Sequence, residues 1–122
     1  MKPKHNDFQE RVDTWLNSAF EEEKVYSITA RNHRFLEEAL ELVQACGCSK
    51  SEAQQIVDYV YSREVGEIPQ EIGGVMNTLA ALGTAHYINI EHAAETELAR
   101  CEKNTDKIRA KNNLKPIFVE KK

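Results

Sequence analysis

Four glutamates are the residues of this chain whose type and spacing suit chemistry: Glu37, Glu38 and Glu41 in one run, and Glu71 further on. At about 100° per helical residue, the three in the run fall within an arc roughly 100° wide. Carboxylates this close repel, and a like-charged i,i+4 pair weakens a helix by about 0.2–0.5 kcal/mol. Either water solvates the run or a cation neutralises it. A hard divalent cation with a preference for oxygen, Mg²⁺ with Mn²⁺ as substitute, matches such a donor set. The wheel alone favours water. It centres the apolar arc on Leu36, Ala39, Leu40 and Val43, with Glu37 and Glu41 pointing away and Glu38 on the edge, the pattern of a solvated acidic face. Glu71 differs, because it borders a stripe made by Ile68, Ile72 and Val75. A carboxylate at a core boundary needs a partner or a shifted pKa.

The elements that must position these groups are helical almost throughout. A first helix is expected from about Asn6 to Glu23, with Phe8, Val12, Trp15, Leu16 and Phe20 as its apolar stripe. After a break at Lys24 to Ile28, a second starts near Thr29 or Ala30 and ends at Gly47, a residue suited to a C-cap. Ser49-Lys50-Ser51-Glu52 is a capping-box pattern that opens a third helix, carrying Ile56, Val57 and Val60 to about Arg63. Gly66 and Pro69 mark a turn into a fourth, from about Gln70 to Tyr87. Asn89 can cap a fifth, from Ile90 to about Asn112. These elements predict an all-α domain of four to five bundled helices over residues 1–113, with an apolar tail over 114–122. Gly73-Gly74 interrupts the fourth helix at about 1 kcal/mol each relative to alanine. Missing side chains there let a helix or a ligand approach the backbone.

Composition narrows the function classes. Of 122 residues, 41% are hydrophobic and 30% charged, which fits a globular chain rather than a disordered one. The net charge of −4 lacks the basic footprint of a nucleic-acid coat. No stretch approaches the roughly eighteen apolar residues of a membrane span. Met1 to His5 leads into polar sequence, without the apolar core of a signal peptide. Three cysteines, an odd number, predict reduced thiols and the cytoplasm. Cys46-Gly47-Cys48 reads as a helix-end turn, since zinc sites want CxxC spacing and further ligands.

With those residues in hand, Glu37-Glu38-Ala39-Leu40-Glu41 resembles the EExxE motif of the all-α NTP pyrophosphatases, the MazG and dimeric dUTPase superfamily. In that family an ExxD motif follows on a later helix, and Glu71-Ile72-Gly73-Gly74 stands in its place. The family also tends to carry a Lys-Asn pair with further basic residues on its last helix, similar to Lys103-Asn104 with Lys107 and Arg109. The resemblance runs from about Arg31 to Lys111. It departs at Gly74, where the family has aspartate. Water could fill the vacated ligand position, Glu67 or Asp58 could supply another acid, or the site could bind nucleotides with little hydrolysis.

The resemblance implies a MazG-like bundle completed by oligomerisation, as a homodimer or homotetramer. It implies Mg²⁺-dependent hydrolysis of a nucleoside triphosphate to the monophosphate and pyrophosphate. Glu38, Glu41 and Glu71 would hold the metal, with Glu37 a ligand or the base that orients water. Lys103, Asn104, Lys107 and Arg34 would face the substrate, with Arg31 and Arg109 as further cations for the outer phosphates. Trp15 could stack a base, although a tryptophan on an apolar stripe more commonly belongs to a core. The alternative is a catalytically weak or inactive nucleotide-binding or helical interaction module, favoured by Gly74.

Overall fold

The computed structural model describes residues 6–121, so Met1 to His5 and the last residue of the expected tail, Lys122, lie outside it. The described residues form seven helices and no strand: α1 (Asp7–Ala19), α2 (Glu22–Val25), α3 (Ile28–Ala45), α4 (Lys50–Tyr61), α5 (Ile68–Ala85), α6 (Ile90–Lys103) and α7 (Thr105–Asn113). The all-α expectation holds. The count exceeds four or five because two expected helices are each broken. The first breaks at Phe20, whose backbone is extended. Glu22 and Glu23 thereby occupy the first turn of α2 instead of the last turn of α1. The helix dipole favours acids at an N-terminus and disfavours them at a C-terminus. The second breaks at Asn104, whose side-chain amide donates to the Arg100 carbonyl at 2.8 Å, a local bond that competes with the helical ladder.

The chain divides into two compact units. The first joins the two ends of the sequence, residues 1–35 and 95–122. Its α1 opens with a capping box between Asn6 and Gln9 and packs on α2 and α7. Ala19, Val25 and Leu98 are its buried apolar residues. No basic residue occupies the last turn of α1, so its terminal carbonyls lack a local cation. Arg109 of α7 supplies one. Its guanidinium donates to the carbonyls of Ala19 at 2.5 Å and Ser18 at 3.2 Å, and to the Asp106 carboxylate at 3.0 Å. Arg11 pairs with Glu95 through two hydrogen bonds and with Asp7 at 3.1 Å.

The second unit covers residues 36–94. Two of its turns share one hydrogen-bonding plan. After α3, Cys48 N–H donates to the Val43 carbonyl at 2.9 Å and Gly47 N–H to that of Gln44 at 3.0 Å, with Gly47 at φ +92°. After α5, Ile88 donates to Gly83 at 2.8 Å and Tyr87 to Thr84 at 3.0 Å, with Tyr87 at φ +57°. Each is a Schellman ending with one left-handed residue. Each then leads straight into a cap, with Ser49 accepting from Glu52 N–H at 3.1 Å and Asn89 from His92 N–H at 2.9 Å. Tyr87 bears the left-handed conformation that glycine adopts freely, and its side chain is 98% exposed.

Only Gly83 is buried in this unit. The stripe expected to face inward on α5 lies open, with Ile72 60% and Met76 57% exposed. On α3, Leu36 and Leu40 are 51% and 43% exposed. The helical periods are those expected, but these faces are only partly covered, with Val43 and Leu79 half-buried. Consequently Glu71 does not sit at the edge of a core formed by its own chain.

Two predictions follow from this packing. A Cβ at Gly83 would overlap Cγ2 of Ile90 and lie 3.2 Å from the Ile88 carbonyl oxygen. Gly83→Ala should therefore lower stability by about 1–3 kcal/mol, despite the better helix propensity of alanine, and in urea unfolding the loss should be smaller in an Ile90→Ala background, which lacks that Cγ2. The Arg11 hydrogen bond holds the Glu95 carboxyl below the usual carboxylate range. A lowered folded-state pKa stabilises above the unfolded value, about 4.3 for glutamate, and is lost as pH falls through the folded value. Between pH 4 and 2, the thermal midpoint of the wild type should fall more steeply than that of Glu95→Gln.

Candidate functional site

All four glutamates lie in the second unit. Glu37, Glu38 and Glu41 ride on α3; Glu37 is half-buried, and Glu38 and Glu41 are exposed. Glu37 and Glu38 both take part in interactions with neighbouring groups. Glu71 is exposed in the first turn of α5, where a carboxylate favours the helix dipole by about 0.3–1 kcal/mol. Its side chain folds back over the preceding turn, so that a Cβ on Gly66 would stand 3.2 Å from its carboxyl carbon. Gly66 thus does more than mark a turn, because it leaves room for this carboxylate.

The donor chemistry is right for Mg²⁺: four carboxylates and no nitrogen or sulfur. The geometry of one chain is not. Among the described residues, no three His, Cys, Asp or Glu side chains converge to hold a metal ion. Helices α3 and α5 do not pack extensively on each other. Single-chain positions therefore do not fit the metal, although the residue types do. Around Gly73 and Gly74 the space is open, with no heavy atom within 4 Å of an added Cβ. The close approach that these glycines permit is not made within the chain.

The expected substrate-binding residues belong to the first unit, apart from the acids. Lys103 ends α6, Asn104 forms the break, and Lys107 lies on α7. Both lysines are exposed. Trp15 reaches this same junction. Its indole N–H donates to Thr105 Oγ1 at 3.1 Å, and its ring meets Phe20 edge-on at 5.9 Å. That half-buried setting holds the tryptophan as part of the α1 packing. Arg109 spends its guanidinium on the end of α1 rather than presenting it for phosphate. Beside it, an open cleft of about 290 Å³ includes Phe20, Lys24 and Asn113, with the Lys24 ammonium 3.2 Å from Asn113 Oδ1.

Arg31 has a setting that its sequence position does not announce. Its Nε is buried without a hydrogen-bond partner. Desolvation, and then the positive charge of Arg34, push its pKa down. A buried donor left unmet costs about 1–3 kcal/mol, and an anion would relieve both the orphan donor and the repulsion. Sequence spacing shows Arg31 and Arg34 as i,i+3 neighbours but gives no sign of that burial.

Arg31→Gln should accordingly raise the urea midpoint or leave it unchanged, while weakening the binding of pyrophosphate measured by titration calorimetry. A lowered midpoint would mean that Arg31 is satisfied in the folded protein. No protein-family model, curated protein or solved structure matches this chain.

Proposed function

We propose that the protein is a Mg²⁺-dependent nucleoside triphosphate pyrophosphohydrolase, converting a (d)NTP and water to the (d)NMP and pyrophosphate. The observation that carries the reading is the acidic run Glu37, Glu38 and Glu41 on one helix, followed by Glu71 in the first turn of a later one. Solvation alone explains each of these glutamates singly. It does not explain their order, which is that of the MazG-like motifs. The exposed Lys103 and Lys107, with Asn104 between them at the α6–α7 junction, suit the phosphates of such a substrate. Arg31 and Arg34 form a second cationic pair fit for an oxyanion. Water attacks the α–β phosphoanhydride, and the bond to the leaving pyrophosphate breaks. The cytoplasm is the compartment this reading assigns, since none of the three cysteines forms a disulfide. A homodimer or homotetramer is its assembly, because the apolar faces of α3 and α5 need a cover.

A second reading, a nucleotide-binding or interaction module with little or no turnover, is favoured by Gly74 alone. It removes the one carboxylate that the family motif places on α5 after Glu71. The open space around Gly74 makes the two readings separable, because a Cβ added there meets no neighbouring atom.

The test is pyrophosphate release from each (d)NTP with Mg²⁺ or Mn²⁺. The wild type should release it, and Glu41→Gln and Glu71→Gln should each lower the rate at least about tenfold. Gly74→Asp should raise it. Release from Gly74→Asp but not from the wild type selects the second reading. Failure of both to exceed Glu41→Gln eliminates hydrolysis.

A further inference from the structure

The break at Phe20 does more than end α1. It brings the start of α2 and the end of α7 to the open cleft of about 290 Å³, which lies wholly within the first unit. The hydrolysis proposed above makes no use of this space. Pockets for drug-sized ligands run from roughly 300 to 1,000 Å³, so a cleft at the bottom of that range suits a small metabolite.

The groups around the cleft differ in what they have left to offer. Arg109 is already engaged, with the carbonyls of Ser18 and Ala19 and with the Asp106 carboxylate. Those bonds fix its guanidinium and balance its charge. Lys24 is positioned but not used up. Its ammonium donates to Asn113 Oδ1 at 3.2 Å, which leaves two of its N–H groups and both N–H groups of the Asn113 amide. Glu21 is the N-cap residue of α2, yet its carboxylate accepts no capping hydrogen bond. Among the described residues it also pairs with no cation.

Two further features complete the lining. The carbonyl end of α1 favours positive charge, and the last turn of that helix holds no basic residue of its own. The Ser18 and Ala19 carbonyls each keep a second lone pair beside the bond from Arg109. Phe20, half-buried, adds an apolar ring. The cleft therefore holds one positive and one negative side chain free for a ligand. A triphosphate is a poor match, because its several negative charges would face Glu21 and the carbonyl end of α1. A molecule carrying one charge of each sign matches.

We propose that this cleft binds a free α-amino acid with an apolar side chain. The carboxylate of the ligand accepts from Lys24 and Asn113, its ammonium donates to Glu21 and the α1 carbonyls, and its side chain lies on Phe20. A ligand held this way joins α1, α2 and α7. It uses none of the four glutamates, so this binding and the hydrolysis stand or fall separately.

Titration calorimetry of the wild type with leucine, isoleucine, valine, methionine and phenylalanine tests the proposal. At least one should bind saturably. Its amide, which lacks the carboxylate, and its N-acetyl derivative, which lacks the ammonium, should each bind at least about tenfold more weakly, as loss of a charge-assisted hydrogen bond requires. Lys24 and Glu21 are both exposed, so Lys24→Met and Glu21→Gln should melt like the wild type without ligand. Lys24→Met should weaken the free amino acid at least about tenfold and leave the affinity for the amide unchanged, while Glu21→Gln should do the same with respect to the N-acetyl derivative. Absence of binding by all five at up to about 10 mM overturns the proposal, since that excludes even millimolar affinity. An N-acetyl derivative that binds as tightly as the free amino acid also overturns it, because the site then reads a plain anion. Equal weakening of the amino acid and its amide by Lys24→Met overturns it as well, since Lys24 then does not meet the carboxylate.

Discussion

Burial of apolar surface is the constraint on which the rest of this structure depends, and the two units meet it differently. In the first unit α1 lies against α2 and α7, and Ala19, Val25 and Leu98 are withdrawn from water. Polar groups are then placed around that contact. The Trp15 indole N–H finds Thr105, and Arg109 caps the carbonyl end of α1. The second unit has no equivalent. Its helices end and begin through well-formed turns, yet only a glycine is buried. Turn and cap hydrogen bonds form here although tertiary packing is sparse.

That contrast separates two kinds of information in the sequence. Signals acting over a few residues were legible. Gly47 ends α3 in the left-handed conformation, Ser49 and Glu52 cap each other, Pro69 sits in the first turn of α5, and Asn89 caps α6. Each depends on the chemistry of one turn. The breaks at Phe20 and Asn104 were not legible, because no proline or glycine marks them. They arise from the placement of acids relative to a helix dipole and from an amide that bonds its own backbone.

The candidate site shows the same limit. Residue types and order pointed to four glutamates, and α3 and α5 carry them in helical positions. Periodicity also identified the apolar faces. What periodicity cannot specify is the partner of a face, since a stripe destined for the same chain and one destined for another copy have the same spacing. Periodicity places Glu71 at a core boundary on that ambiguous basis. Arg31 is legible as a candidate phosphate cation but its burial is not, because burial of one nitrogen atom is a property of the surrounding elements.

The first unit is also discontinuous, assembled from residues 1–35 and 95–122 with the second unit inserted between them. Its defining bonds join distant residues: Arg11 to Glu95, Trp15 to Thr105, and Arg109 to Ser18. During synthesis α1 therefore leaves the ribosome with α2 but well before α7. At about 5–20 residues per second, several seconds pass before α7 is made. Over that interval the Trp15 indole N–H waits for its acceptor, Thr105. The unit can close only once α7 is made, so α1 stays open to a chaperone throughout synthesis of the second unit.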